Sequence, residues 1–212
     1  MSGRGTGVAG VILAGGASAR MGGIDKSLIM FGGRPLVSHA IALLRRQVDE
    51  LALSVHAPDV RHVPFGLPLL ADATKPDEGH QGPMAGIQAA LDWAARPGGA
   101  AWCVTIPVDC PFLPKDLTAR LREAADTAGA PGAYLTTPSG DEPLAAVWSV
   151  ACAARAQQFL TAGGRSVRAF HREIGSAALA GEAAWCTNLN SPGDLAAAET
   201  AASARPRDRP PR

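Results

Sequence analysis

The chain has no apolar run approaching the roughly 20 consecutive residues that a membrane span requires, so a spanning role is excluded and a soluble protein is expected. Residues 1 to 7, Met-Ser-Gly-Arg-Gly-Thr-Gly, lack the apolar centre of a secretory signal, which makes the cytoplasm the expected address. Charge of one sign is missing as well. Twenty basic against nineteen acidic residues give a formal net charge of +1, too little for a strong nonspecific pull on nucleic acid or an anionic membrane. Any anion is expected in a local site. The four cysteines, Cys103, Cys110, Cys152 and Cys186, contain no pair with the two-residue gap of a zinc or redox motif. His39, His56, His62, His80 and His171 likewise lack the paired helical spacing of metal sites.

What the chain does have is a strand that empties into a glycine-rich loop. Residues 8 to 27 read Val-Ala-Gly-Val-Ile-Leu-Ala-Gly-Gly-Ala-Ser-Ala-Arg-Met-Gly-Gly-Ile-Asp-Lys-Ser. Glycines let backbone N–H groups approach an anion, and Arg20 and Lys26 supply cations. A flexible turn is the plainer reading of Gly15, Gly16, Gly22 and Gly23, but a turn has no need of the two cations.

Length and periodicity set the frame. A chain of 212 residues suits one domain and can bury about 70% of its unfolded surface. Strands are expected at 7–14, 51–55, 67–71, 101–106, 133–136, 145–148 and 184–186, with a short extended piece at 28–31. Helices are expected after Pro35, from Gly82-Pro83, after Pro114, at 152–160, at 166–173 and from Ser191. Their alternation predicts an α/β fold with a mostly parallel central sheet covered by helices. Such sheets bind ligands beyond the carboxyl ends of their strands. Gly15 to Lys26, Asp72 and Asp109 all fall at such ends. Residues 1–203 are read as one domain, and the Pro/Arg-rich 204–212 as a disordered basic tail.

Two familiar motifs are excluded by context. Gly5-Thr-Gly-Val-Ala-Gly10 satisfies the dinucleotide fingerprint as a string, but it precedes the first strand instead of following it. Lys26-Ser27 looks like the end of a P-loop, yet Asp25 stands where glycine is required and the loop after Gly16 is too long.

Leu13-Ala-Gly-Gly16, Ser18, Arg20-Met21-Gly22 and Asp25-Lys26 together resemble the signature loop of nucleotidyltransferases. With Gly82-Pro-Met-Ala-Gly86, Val108-Asp-Cys-Pro-Phe112, Arg165 with Val167, and Asn188-Leu-Asn-Ser-Pro192, the chain is similar to the molybdenum cofactor guanylyltransferases, the MobA family, from about residue 8 to 195. The resemblance implies a Rossmann-like three-layer nucleotidyltransferase fold and a Mg²⁺ site. It also implies transfer of GMP from GTP to the phosphate of molybdopterin or Mo-molybdopterin, with release of pyrophosphate. Molybdenum-insertion proteins and molybdoenzyme chaperones are the protein partners it suggests. Related enzymes that use CTP typically carry Leu-Ala-Ala-Gly, so Gly15 favours guanine. The alternatives are the same chemistry with CTP, another phosphate acceptor, or a nucleotide-binding cofactor chaperone without turnover.

By position in the family, Leu13, Ala14, Gly15, Gly16, Lys26, Ser54, Asp72 and Asp109 match nucleotide-binding places. Asn188 and Asn190 are candidates for the pterin. Ser54 stands where the family often has Asn, and offers a hydroxyl in place of an amide. The chemistry fits the residue types: a phosphate monoester with a second pKa of about 6 is already anionic and needs no general base. Lys26 and Arg20 can hold the triphosphate, and Asp109 suits Mg²⁺. Plainer readings stand beside these. Asp109 could open a turn before Cys110-Pro111, Asp72 could cap a helix, and Asn188 and Asn190 could serve the turn before Ser191.

Overall fold

The computed structural model describes residues 7–15, 25–56, 60–71, 82–187, 189 and 193–194. Nine strands are described: β1 (Val8–Leu13), β2 (Met30–Phe31), β3 (Arg34–Pro35), β4 (Glu50–Val55), β5 (Leu69–Ala71), β6 (Trp102–Pro107), β7 (Gly132–Thr137), β8 (Gly140–Ser149) and β9 (Ala177–Ala180). Five α-helices accompany them: α1 (Leu36–Leu44), α2 (Pro83–Ala94), α3 (Leu117–Ala128), α4 (Ala153–Thr161) and α5 (Val167–Ile174). Seven strands form one sheet in the order β5-β4-β1-β6-β8-β7-β9, while β2 and β3 form a separate hairpin. The pairs β5/β4, β4/β1, β1/β6 and β7/β9 are parallel, and β8 runs antiparallel to both neighbours.

Alternation along the strands divides the core into two layers. On β1, Ile12 packs with α1 and α3, while Ala9, Val11 and Leu13 face α2, α4 and α5. Both faces are covered, which is why β1 and β6 read as nearly continuous apolar runs. Gly10 serves close packing here, because a Cβ at this position would stand 3.0 Å from Val48 Cγ2 and 3.1 Å from Leu51 Cδ1. The chain leaves β1 through α1 to reach β4 on one side, and after β5 returns through α2 to β6 on the other. The β1/β6 boundary is therefore the switch point at which parallel sheets open a crevice.

Several sequence expectations change. The strand expected at 184–186 is a 3₁₀ helix, Ala183–Cys186, and the edge strand is instead Ala177–Ala180. Alanines are poor strand formers, but pairing in register with β7 overrides that preference. Trp185 turns out of any ladder and lies under the Arg120 guanidinium, 5.3 Å from its ring centre. The extended piece expected at 28–31 is present from Ile29 through the two-residue strand Met30–Phe31, and only Leu28 belongs instead to the preceding 3₁₀ helix, Lys26–Leu28. β8 begins five residues earlier than the 145 expected, since a register shift opposite Tyr134/Leu135 admits Pro143 to the strand. The helix start at Ser191 lies outside the described residues. Among the described residues no helix is long and apolar enough to cross a membrane.

Two buried polar groups lead to measurable expectations. The Trp148 indole N–H donates to Thr105 Oγ at 3.0 Å, and that hydroxyl donates to the Leu144 carbonyl at 2.8 Å. Thr105→Val keeps the shape and leaves the indole N–H unpaired, so it is expected to cost about 1–3 kcal/mol, read as a lower urea midpoint with unchanged slope.

His171 is stacked between Trp148 and Tyr134, at centroid distances of 4.2 and 4.4 Å. Its Nε2–H donates to the Pro143 carbonyl at 3.0 Å, so Nδ1 accepts from Ser176 Oγ at 2.8 Å. Burial lowers its pKa from 6.5 to about 4, against smaller opposing effects of the Pro143 carbonyl and Asp141. The unfolded chain thus binds the extra proton first. Stability is complete above pH 6.5 and falls as pH drops towards about 4, by on the order of 3 kcal/mol in all. Urea unfolding at pH 7.5 and 5 is expected to show a steeper loss for the wild type than for His171→Gln.

Candidate active site

Leu13 ends β1 beside two partners. Its carbonyl accepts from Val108 N at 3.1 Å, and it lies in register with Ser54 on β4. The next two amides, Ala14 N and Gly15 N, both donate to the Ser54 carbonyl, at 2.8 and 3.1 Å. Leu13, Ala14, Gly15 and Ser54 are thus brought together at the strand ends. The amides of Ala14 and Gly15 tie the start of the loop to β4. Gly16 and Arg20 lie outside the described residues.

The loop returns at Asp25, whose carboxylate caps the 3₁₀ helix Lys26–Leu28 by accepting from Ser27 N at 2.9 Å. Lys26 extends from that helix, and its Nζ meets Asp109 Oδ2 at 3.0 Å, across 83 positions of sequence. Asp109 sits just beyond the end of β6, directed there by the Val108 bond to Leu13. Both side chains are partly sheltered, 24% exposed for Lys26 and 17% for Asp109. A cation from the loop after β1 and a carboxylate from the end of β6 therefore face each other across the switch point.

Cys110 follows Asp109 and is buried. Burial first, then the charges of Asp109, Glu142 and Cys186, push its thiol well above the usual range, with Lys26 opposing them. Cys186 is pushed up to about 12 by burial and by Glu142. Both remain protonated thiols near neutral pH, which removes them as thiolate nucleophiles.

Metal chemistry is limited by the donors. Among the described residues no group of three His, Cys, Asp or Glu side chains could hold an ion. Mg²⁺ does not need such a cage, since it keeps several waters and is commonly held by one or two carboxylates together with substrate phosphates. Asp109 at the crevice fits that mode.

Asp72, Asn188 and Asn190 lie outside the described residues. Leu189, between the two asparagines, is buried and donates its N–H to the Asp109 carbonyl at 3.1 Å. The C-terminal segment thereby reaches the acidic corner of the site. Sequence reasoning missed this contact, the approach of Glu142, and His62, which packs against the base of the Lys26 helix. None belongs to a spaced motif, and only chain topology brings them there.

Residues 10–177 fit the model of the MobA-like NTP transferase domain. The chain belongs to that family. A molybdenum cofactor guanylyltransferase of Acidiphilium cryptum (strain JF-5) is 41% identical over 192 residues, covering 89% of this chain and 92% of the relative. One from Cereibacter sphaeroides is 43% identical over 196 residues, covering 90% and 95%. Among solved structures, molybdopterin-guanine dinucleotide biosynthesis protein A from Archaeoglobus fulgidus superposes with a TM-score of 0.70 at 20% identity, covering 92% of this chain and 98% of that one. The structural likeness establishes a nucleotidyltransferase-type fold, and the family membership rests on the sequence matches.

Proposed function

We propose that this chain transfers GMP from GTP to the terminal phosphate of molybdopterin or Mo-molybdopterin, forming the guanine dinucleotide and releasing pyrophosphate. The observation that carries the reading is the Lys26–Asp109 pair across the switch point, in a chain similar over most of its length to guanylyltransferases. The relatives named above favour GTP over the CTP alternative.

The step requires alignment and charge neutralisation. A phosphate oxygen of the acceptor attacks the α-phosphorus of GTP. The new P–O bond forms as the bond from the α-phosphorus to the α,β-bridging oxygen breaks, and pyrophosphate leaves with the electron pair. No proton must be removed from a phosphate that is already a dianion. Lys26 and Arg20 place positive charge on the triphosphate and the departing pyrophosphate. By their position in the family, Leu13, Ala14, Gly15, Gly16, Ser54 and Asp72 are assigned to nucleotide binding, and Asn188 and Asn190 to the pterin. Asp109 would hold Mg²⁺, which when bound would supply polarisation of phosphate oxygens. On this reading the enzyme works in the cytoplasm and meets molybdenum-insertion proteins and molybdoenzyme chaperones at either end of its reaction.

Pyrophosphate release from the purified chain with Mg²⁺ tests the proposal. Release is expected only when GTP and molybdopterin are both present. Hydrolysis of GTP without acceptor, or silence with the complete mixture, contradicts it.

A further inference from the structure

The 3₁₀ segment Val60–Phe65 follows β4 and delivers His62, 2% exposed, to the base of the Lys26 helix. His62 Nε2 lies 2.9 Å from Ser27 Oγ and 3.2 Å from Asp25 Oδ2. Ser27, itself fully buried, donates its hydroxyl to Asp25 Oδ1 at 2.7 Å and its amide to the same oxygen at 2.9 Å. One imidazole thus touches both residues that flank Lys26.

His62 Nδ1 is buried and has no hydrogen-bond partner among the described residues. A proton on Nδ1 would be a buried, unpaired donor, and would leave the Nε2 lone pair facing a carboxylate. The network therefore places the proton on Nε2, shared between the hydroxyl of Ser27 and the carboxylate of Asp25. This is not a nucleophilic triad despite its composition. Serine and aspartate meet the same ring nitrogen, and Ser27 has no surface to offer a substrate.

The same stretch of chain holds the other end of the loop. Ser54, on the strand that leads into this segment, accepts from Ala14 N and Gly15 N. β4 and the segment after it therefore grip the glycine-rich loop on both sides, through a carbonyl where it leaves β1 and through an imidazole where it delivers Lys26.

We propose that His62 is a positioning residue for the nucleotidyl-transfer step, holding the Asp25–Ser27 turn so that the Lys26 ammonium stays directed at the triphosphate. The inference rests on the role given to Lys26 under the proposed function. Misplacement of a charged group by about 1 Å can cost on the order of 100-fold in rate, so a lost anchor at the root of Lys26 has a kinetic consequence without touching substrate.

The test is a double-mutant cycle on pyrophosphate release, using wild type, His62→Leu, His62→Gln, Lys26→Ala and the Lys26→Ala/His62→Leu pair, each checked by circular dichroism. His62→Leu keeps the volume and removes the donor, and is expected to lower kcat/KM on the order of 10- to 100-fold. His62→Gln returns an N–H near the position of Nε2 and is expected to recover most of that loss. In the Lys26→Ala background, His62→Leu is expected to cost nothing further, because the residue acts through Lys26. A folded His62→Leu protein with wild-type kinetics, or losses that multiply in the pair, overturns the proposal. If His62→Leu does not fold, Ser27→Ala takes its place in the same cycle, with the same non-additivity expected.

Failure of the GTP reading is separable. The wild type is assayed first with each of the four common nucleoside triphosphates, and the cycle is run with the one that turns over. If none does, amide hydrogen exchange at Ser27 and Leu28 decides: on the order of tenfold faster exchange in His62→Leu, reversed in His62→Gln, supports the anchor, and unchanged exchange overturns it.

Discussion

Lys26→Ala is expected to lower turnover by roughly 100-fold or more, the usual scale when a charge aimed at a developing anion is removed. Its position makes the loss double. The ammonium is the partner of Asp109 at 3.0 Å, so its removal deletes a positive charge from the triphosphate and leaves a carboxylate without its counter-ion beside it. The first effect appears in kcat, where pyrophosphate leaves. The second appears in the KM for GTP at low Mg²⁺, where the carboxylate carries no metal and repels the incoming phosphates. Steady-state pyrophosphate release, with circular dichroism as a folding control, is the measurement. Near wild-type rates in folded protein would sink the role given to this residue.

Asp109→Asn is expected to cost turnover on a similar scale, roughly 100-fold or more, and to raise the Mg²⁺ concentration needed for half-maximal rate. Asparagine is the sharper probe here. If Asp109 only opened the turn into Cys110-Pro111, asparagine would serve as well, since both side chains accept a turn hydrogen bond and suit the same backbone. The amide oxygen can also keep the contact with Lys26. What it lacks is the charge, so a large loss points to electrostatics and metal coordination, while a small one returns Asp109 to the turn. A Mg²⁺ titration of the variant against the wild type separates the two.

The parts legible in the sequence were those written in local pattern. Buried parallel strands such as Val8–Leu13 and Trp102–Pro107 announce themselves as apolar runs bounded by glycine or a turn, and Pro83 marks the start of α2. Lys26 and Asp109 could be placed at strand ends, and the structure joins them. What escaped was set by tertiary context. Ala177–Ala180 has no strand signature and becomes a strand only because β7 offers it an edge. Trp185 and Cys186 look like strand residues, but belong to a 3₁₀ helix that packs against the sheet margin.

The site shows the same division. Ser54 stands out in the sequence for its side chain, while the bonds to Ala14 N and Gly15 N are made by its carbonyl, which any residue could supply. His62 sits alone in the sequence with no motif spacing, and its meaning depends on β4 bringing the following segment against Asp25 and Ser27. A pattern search cannot see such a contact, because neither its spacing nor its partners are local.

The most direct measurement is to incubate the purified chain with Mg²⁺, molybdopterin and each of the four common nucleoside triphosphates in turn, and to weigh the product. A single dinucleotide is expected, formed with GTP and accompanied by pyrophosphate, with the mass of molybdopterin carrying GMP. A product carrying CMP, or no dinucleotide with GTP, would contradict it.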